Sequence, residues 1–207
     1  MLTWNPYAQT TASGMFNIQS DGMIVGTAMP DPAHRYDLAG GFLAATETLP
    51  MFGGVGISEN VPKHTPQPQL SDTLGGAVIR ATAAAGTAAG SLTGFSVFDQ
   101  NYAAVNNPQS PVPVTANGGL VNFYRLGSLA RLVLAIDPTL ISLEGGIITQ
   151  QVSWDLTNQK IIAFATNALP VKILLVLATN CLVPVYTAGP PATCTWNYNG
   201  AAALVVI

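Results

Sequence analysis

Charged side chains are scarce in this chain, which has only seven Lys or Arg and ten Asp or Glu among 207 residues, about 8% of the total. An ordinary soluble domain carries roughly a quarter of its residues as charged ones. Surface charge keeps protein molecules apart in solution, so a body with so little of it is expected to have much of its surface covered. Lipid, a ligand or other protein subunits would each provide such a cover.

Basic residues are also too few and too scattered for a nucleic-acid interface. The seven Lys and Arg are spread along the whole chain, and the formal net charge is -3. Binding to DNA or RNA depends on a clustered basic face that neutralises phosphates. We therefore expect no nucleic-acid partner.

Long apolar runs are missing as well. The best candidate for a membrane span has an uninterrupted apolar core only from Ile173 to Ala178, whereas a spanning helix needs about 20 residues. Arg131, Asp137 and Pro138 interrupt the other candidate. The first residues show no basic region followed by an apolar run, so no secretory signal is predicted and a cytoplasmic product is expected.

The two cysteines, Cys181 and Cys194, are 13 positions apart on segments that read as neighbouring strands. A disulfide between them is geometrically open, but a reducing compartment favours two free, buried thiols. No Cys-x-x-Cys spacing occurs, and neither His34 nor His64 is near either cysteine in the sequence. Hence no metal site is predicted.

Short β-branched runs separated by Gly, Pro and Asn recur along the chain, whereas helical periodicity is nearly absent. This pattern predicts a mainly β protein, with a β-sandwich or jelly-roll-like body and long Pro- and Gly-rich loops. Residues 1–20 are predicted to form an extended N-terminal arm, and residues 21–207 a β-rich domain. Within that domain, 21–119 reads as a loop-rich half and 120–207 as a compact half.

Several elements are predicted individually. Residues 61–69 carry three prolines and read as a connector, and residues 81–90 read as a loop because their glycines weaken a helix. Val121–Ile136 is predicted to form one or two buried strands. Residues 150–164 contain two strands around a turn at 157–160, and Asn199-Gly200 is predicted to turn the C-terminal residues back along the strand that holds Trp196.

Candidate catalytic groups are few. The densest ionisable cluster combines Asp31, His34, Arg35 and Asp37, but no second cluster completes an acid–base site, so a solvated loop or a subunit contact is the favoured interpretation. No Gly-x-Ser-x-Gly turn is present. Gly54-Val-Gly-Ile-Ser-Glu59 ends in an acidic residue where a phosphate loop needs its third glycine, and no amphipathic helix follows it. We therefore predict a protein that is not an enzyme, with no catalytic residues, cofactor, metal or small-molecule substrate.

Five aromatic residues near the hydrophobic runs admit two interpretations. They form a sugar-stacking platform if their faces are exposed, and core if they are buried. Alternation with aliphatic residues favours the core. The five are Phe123, Trp154, Tyr186, Trp196 and Tyr198.

Four stretches carry a resemblance to a known family. They are Val121-Asn-Phe-Tyr-Arg-Leu-Gly-Ser-Leu-Ala-Arg131, Ile147-Ile-Thr-Gln-Gln-Val-Ser-Trp-Asp-Leu-Thr-Asn-Gln-Lys-Ile161, Leu169-Pro-Val-Lys-Ile-Leu174 and the final run Ala192–Ile207. Together they resemble the capsid decoration, or cement, proteins of tailed bacteriophages. The resemblance covers less than half of the chain. It implies a β-rich, dimeric or trimeric accessory protein on the capsid exterior that clamps neighbouring major capsid subunits, and it supplies no catalytic residues.

The arm is the predicted contact with the capsid, because large aromatic and Arg side chains dominate interface energies. Trp4, Pro6 and Tyr7 are its candidate contact residues, and Arg35 is the second candidate. Trp4 packing into its own domain is the alternative. A shell or tail-fibre subunit, and a carbohydrate-binding module displayed on a virion, remain alternative functions.

Overall fold

The computed structural model describes residues 9–10, 18–19, 22–29, 37–60, 77–87, 89–98, 112–115, 118–145, 152–187 and 193–207. These stretches contain strands and one short 3-10 helix, Pro138–Leu143, and in them no helix is long and apolar enough to cross a membrane. The strands are β1 (Gln9–Thr10), β2 (Ile18–Gln19), β3 (Ala39–Leu43), β4 (Gly56–Asn60), β5 (Ala77–Arg80), β6 (Gly94–Val97), β7 (Leu120–Arg125), β8 (Arg131–Ala135), β9 (Val152–Asp155), β10 (Lys160–Ala163), β11 (Lys172–Thr187) and β12 (Thr193–Val206).

Five strands close into a small barrel in the order β3-β5-β4-β6-β7, with β7 paired back to β3. The pairs are antiparallel except for β3 with β5, which run parallel. A barrel of this size is filled by its own inward side chains, because alternate residues of each strand point inside. Fully buried members of this core include Leu43, Ile57, Val78 and Phe123.

A second layer is the three-stranded sheet β11-β12-β8. Alternation along β12 gives this sheet two apolar faces. Ala203 and Val205 belong to the cluster that packs toward the barrel, whereas Ala202 and Leu204 lie on the opposite face. Residues 22–29 cover part of that opposite face, bonded on one side to Val133 and on the other to Leu182.

The outer side of the barrel packs against this sheet and against the β9–β10 hairpin. Phe95 of β6 and Trp154 of β9 meet edge to face, with ring centroids 4.8 Å apart. Phe95 and Trp154 share one buried cluster with Leu132, Val205 and other residues from both layers. Barrel and sheet therefore share a core.

The prediction of a mainly β chain is confirmed, while the sheets of the described residues do not specify a jelly roll. The predicted strands in 121–136 are β7 and β8, and the hairpin predicted in 150–164 is β9 with β10. Residues 81–90, where described, form turns and an isolated bridge as expected of a loop. Arm residues 1–20, apart from the paired β1 and β2, and the proline-rich 61–69 lie outside the described residues.

The predicted hairpin turn at Asn199-Gly200 is wrong. Strand β12 continues through both residues and pairs with β11. The register shifts opposite this point, and Asn180 on β11 adopts a positive φ of 62°. The Asn180 amide donates to Asn199 Oδ1 at 3.2 Å. A side chain at Gly200 would collide with Val183, so the Asn-Gly pair serves a bulge and a close approach between strands.

Both cysteines are free thiols, as predicted, although Cys194 is only half-buried. Cys181 lies opposite Gly200, whereas Cys194 lies opposite Tyr186, so the two are several ladder positions apart. Burial raises the pKa of the Cys194 thiol to about 11, and the neighbouring Arg80 guanidinium offsets this only in part. Burial raises the pKa of the Cys181 thiol as well, and a thiol that stays protonated is a poor nucleophile.

The β9–β10 turn depends on Asp155. Its Oδ1 accepts from the Thr157 and Asn158 amides at 2.8 and 2.9 Å, and its Oδ2 accepts from the Asn158 side chain at 2.7 Å. Burial raises the pKa of Asp155, but these hydrogen bonds to the ionised form outweigh burial and lower the pKa overall.

We expect Asp155→Ala to cost about 1 kcal/mol at neutral pH, because it removes the turn's acceptors. A lowered folded-state pKa means that the stabilisation is present above the unfolded pKa of about 3.9 and is lost as pH falls through the folded value. Thermal unfolding followed by circular dichroism should therefore show a gap between wild type and variant that closes in acid. Asp155→Asn, which keeps an acceptor, should show a smaller gap. A gap that persists at low pH would contradict this account.

Candidate functional site

The residues predicted to contact a partner, Trp4, Pro6, Tyr7 and Arg35, all lie outside the described residues. Of the ionisable cluster predicted around Arg35, only Asp37 is described. No group of three or more His, Cys, Asp or Glu with metal-binding geometry occurs in the stretches that the structure describes. The candidate site therefore has to be found on the described surface.

A groove of about 420 Å³ with apolar and uncharged polar residues in its lining runs along the barrel, and we call it the barrel groove. None of its described lining residues is charged. Leu120 and Val114 on its wall are 58% and 50% exposed, and Phe42, directly opposite Leu120 in the β3–β7 register, is 48% exposed. The groove walls include Met51, Phe52, Phe98, Pro113, Val114 and Leu120. Large apolar side chains grouped in this way mark an interaction surface.

The backbone fixes these exposed side chains in place. Phe42 and Leu120 share one antiparallel ladder, and the amide of the following Leu43 donates to the Gly119 carbonyl at 2.9 Å. Across the groove, Thr115 and Met51 exchange two backbone hydrogen bonds, at 2.7 and 3.4 Å. Contact residues held on a paired scaffold lose less conformational entropy on binding than residues of a loose loop.

Ser96 lines the groove together with the polar residues Thr115 and Asn122, and its hydroxyl already has hydrogen-bond partners within the protein. Ser96 Oγ donates to the Phe52 carbonyl at 2.6 Å and accepts from the Val55 amide at 3.0 Å. A serine nucleophile needs an adjacent general base, and no His, Asp or Glu lines the described part of the groove. The groove offers shape and apolar area rather than an assembled acid–base site.

Arg80 holds the base of the groove from inside the protein. It is only 8% exposed, its guanidinium donates to the Pro50 carbonyl, and it stacks 5.2 Å from the centre of the Phe52 ring. Burial lowers the pKa of Arg80, while the Glu47 carboxylate acts in the opposite direction. Glu47 also accepts from the Arg80 amide at 2.9 Å. Arg80 thus ties β5 to the segment Pro50–Phe52, whose last residue forms part of the groove wall.

A second, charged cavity of about 520 Å³ lies at another part of the barrel rim. There Arg125 donates from Nε and Nη2 to the two oxygens of Glu59, both at 2.7 Å. The hydrogen bond to Glu59 raises the pKa of Arg125. Glu59 belongs to β4. Because the Arg125 guanidinium already makes both hydrogen bonds to Glu59, we interpret this ion pair as a structural link between β4 and β7.

The five aromatic residues considered as a possible sugar-binding platform differ in their burial. Phe123, Trp154 and Trp196 are buried, which confirms the core interpretation for these three. Trp196 packs against Phe98 with ring centroids 5.8 Å apart. Tyr198 is exposed and Tyr186 is half-buried. The two indoles are therefore not available as a stacking platform for a sugar.

Reasoning from the sequence missed the barrel groove. Its lining comes from the 51–53 turn, the end of β6, residues 113–115 and the start of β7, and Phe42 of β3 lies beside it opposite Leu120. No local motif joins segments so far apart in the chain. A weak signal was available in Gly40-Gly41-Phe42-Leu43, where one of two adjacent large apolar residues on a strand must face outward.

No protein-family model, no curated protein and no solved structure matches this chain.

Proposed function

We propose that this chain is a non-enzymatic virion structural protein of the cement type, which binds and stabilises a capsid shell from outside. It would be made in the host cytoplasm and would act on the major capsid protein. The observation that carries the proposal is a group of three exposed apolar side chains, Phe42, Leu120 and Val114. They lie at a groove whose described lining contains no charged residue. Apolar residues fixed on a paired scaffold suit docking onto another protein.

The low charge of the chain supports the same function. A lattice of capsid subunits presents the same surface many times, so modest contacts at each copy add up through multivalency. A body with few charges also has few groups to desolvate when it docks. The resemblance of four stretches to phage decoration proteins points in this direction independently of the groove.

The finer architecture belongs to this proposal. The body would be β-sandwich or jelly-roll-like, with the barrel packed against the three-stranded sheet, and an N-terminal arm would reach from it to a neighbouring subunit. Trp4, Pro6 and Tyr7 would be the contacts of the arm, and Arg35 would add a further contact. Deleting residues 1–12 should weaken capsid binding, and unchanged binding would refute the role of the arm.

Co-sedimentation tests the function directly. Purified protein is mixed with expanded shells of its phage, pelleted and quantified, with unexpanded shells as the control. Saturable binding at a fixed number of copies per capsid subunit is the expected result.

Three outcomes would contradict the proposal. Closed particles formed by the protein alone would identify a shell subunit. Failure to bind shells, together with quenching of Trp fluorescence by glycans, would identify a carbohydrate-binding module. Binding to tails only would identify a tail component.

A further inference from the structure

The described cations are distributed unevenly over the protein. Five of the seven Lys and Arg lie in the described stretches, and three of these are engaged within the body. The side chains of the remaining two, Arg131 and Lys172, have no hydrogen-bond or ion-pair partner among the described residues. The engaged pairs are Arg80 with the Pro50 carbonyl, Arg125 with Glu59, and Lys160 with Asp137.

The two unpaired cations lie in one row of the sheet. Val206 of β12 pairs with Arg131 on one side and with Lys172 on the other, so all three side chains are on the same face. This is the face opposite the barrel. The next row on that face contains Val133, Leu204 and Leu175, and we call the two rows together the outer sheet face.

The outer sheet face is apolar and only partly covered. Leu175 is 37% exposed, and Leu204, Leu177 and Val206 are partly exposed. The segment 22–29 bonds to Val133 on β8 and to Leu182 in the second half of β11, and within the described residues it makes no backbone hydrogen bond to β11 between Lys172 and Leu177. A strip of aliphatic side chains therefore ends at two unpaired positive charges.

An unpaired carboxylate lies beside the same strip. Glu144 follows the 3-10 helix, is exposed, and accepts weakly from the Val176 amide on the outer edge of β11, at 3.4 Å. Val176 is four residues from Lys172, which is about 13 Å along an extended strand. The surface thus holds both signs of charge, one on each side of Leu175.

We propose that the outer sheet face binds a second copy of this chain in an isologous, two-fold dimer. A two-fold interface must be self-complementary, since the same patch meets itself. With the axis running across the strands midway between Lys172 and Val176, β11 packs antiparallel over β11 of the second copy. Lys172 of each copy then lies over Glu144 of the other, and the two Leu175 side chains meet near the centre.

The charges also exclude the other two-fold arrangement. An axis parallel to the strands would stack the cationic row onto itself, placing Arg131 and Lys172 of both copies together. Like charges so juxtaposed oppose association. Pairing through the free edge of β11 is hindered too, because Glu144 and the 3-10 helix occupy that edge at Val176.

Charge exchange tests this dimer. Light scattering across a concentration series should give wild-type masses that rise toward twice the 21.5 kDa chain mass. Lys172→Glu alone, or Glu144→Lys alone, should weaken dimerisation about tenfold, because each substitution places like charges at both symmetric contacts. The double variant Lys172→Glu/Glu144→Lys should restore it. Raising salt should weaken the wild-type dimer, because its ion pairs lie at an exposed interface.

Controls separate the dimer from a folding defect and from the barrel groove. Each variant should keep the wild-type circular dichroism spectrum and melting temperature. Phe42→Ser/Leu120→Ser, which alters the groove, should leave the dimer intact. A mass of one chain at all concentrations, a mass of three chains, insensitivity to Lys172→Glu, or loss of the dimer in the groove variant would each overturn the proposal. None of these masses depends on shell binding, so this proposal and the cement function fail separately.

Discussion

Replacing Gly26 by alanine is expected to destabilise the protein by more than 3 kcal/mol, seen as a fall of about 10 °C in melting temperature. Gly26 has a φ of +86°, where an alanine is strained by about 1 kcal/mol. More importantly, a Cβ on Gly26 would overlap the backbone of Gly53. Neither main chain can move cheaply, because the Gly26 carbonyl accepts from the Phe98 amide and the Gly26 amide donates to the Val133 carbonyl, both at 2.8 Å.

Gly86→Ala is the matched control for this prediction. Gly86 also has a positive φ, +73°, but an added Cβ there would meet nothing within 4 Å. The control therefore carries the backbone strain without the collision, and it should cost only about 1 kcal/mol. Chemical denaturation of both variants measures the difference. Equal losses of unfolding free energy in the two variants would show that the close approach of Gly26, in segment 22–29, to Gly53 is not a structural requirement.

The double variant Phe42→Ser/Leu120→Ser is expected to weaken binding to capsid shells at least about 100-fold, since truncating a central interface residue costs about 2 kcal/mol or more. The two side chains face each other across the β3–β7 ladder. They are about half exposed, so their replacement removes little of the core. Serine adds no charge, which keeps repulsion between neighbouring strands out of the result. The melting temperature should change by only a few degrees.

Phe164→Ser/Leu129→Ser is the matched control, because it removes the same two residue types from exposed positions outside the groove. Phe164 is 44% exposed and Leu129 is 61% exposed. Co-sedimentation with shells should give wild-type binding for this control. Equal losses of binding in the two double variants would indicate that exposed apolar area in general, rather than the barrel groove, drives association.

Local structure was predictable where neighbouring residues determine it. The β9–β10 hairpin could be predicted because Val152 and Trp154 alternate with polar residues before a turn that Asp155 closes by its own hydrogen bonds. The buried strands β7 and β8 could be predicted from their β-branched and aromatic content. The free thiols were predicted from the redox state expected of the compartment. Both cysteines are free in the structure, and the β11–β12 register places them several ladder positions apart.

The prediction of a turn at Asn199-Gly200 was wrong because an Asn-Gly dipeptide is compatible with two different structures. Asn and Gly allow a tight hairpin turn, but they also allow a bulge in a continuous strand. Which one forms depends on the partner strand, and here Asn180 of β11 supplies the matching bulge and a hydrogen bond to Asn199. That information is 19 residues away in the chain.

The barrel and its groove depend on pairings between residues that are even farther apart in the sequence. Phe42 and Leu120 are side by side only because β7 returns to β3 after β4, β5 and β6 have closed the circle. Arg80 shows the same dependence, since its role comes from Pro50 and Phe52, some 30 residues earlier. Sequence patterns indicate which residues prefer burial, but they do not state which distant strand will cover them.

Hydroxyl-radical footprinting of free and shell-bound protein tests the central claim most directly, because it reports the solvent exposure of individual side chains. We expect oxidation of Phe42, Leu120 and Val114 to fall sharply in the shell-bound protein, while Leu129 and Phe164 keep the rates of the free protein. Undiminished oxidation of Phe42 and Leu120 on saturated shells would contradict the account and place the capsid contact elsewhere on the molecule.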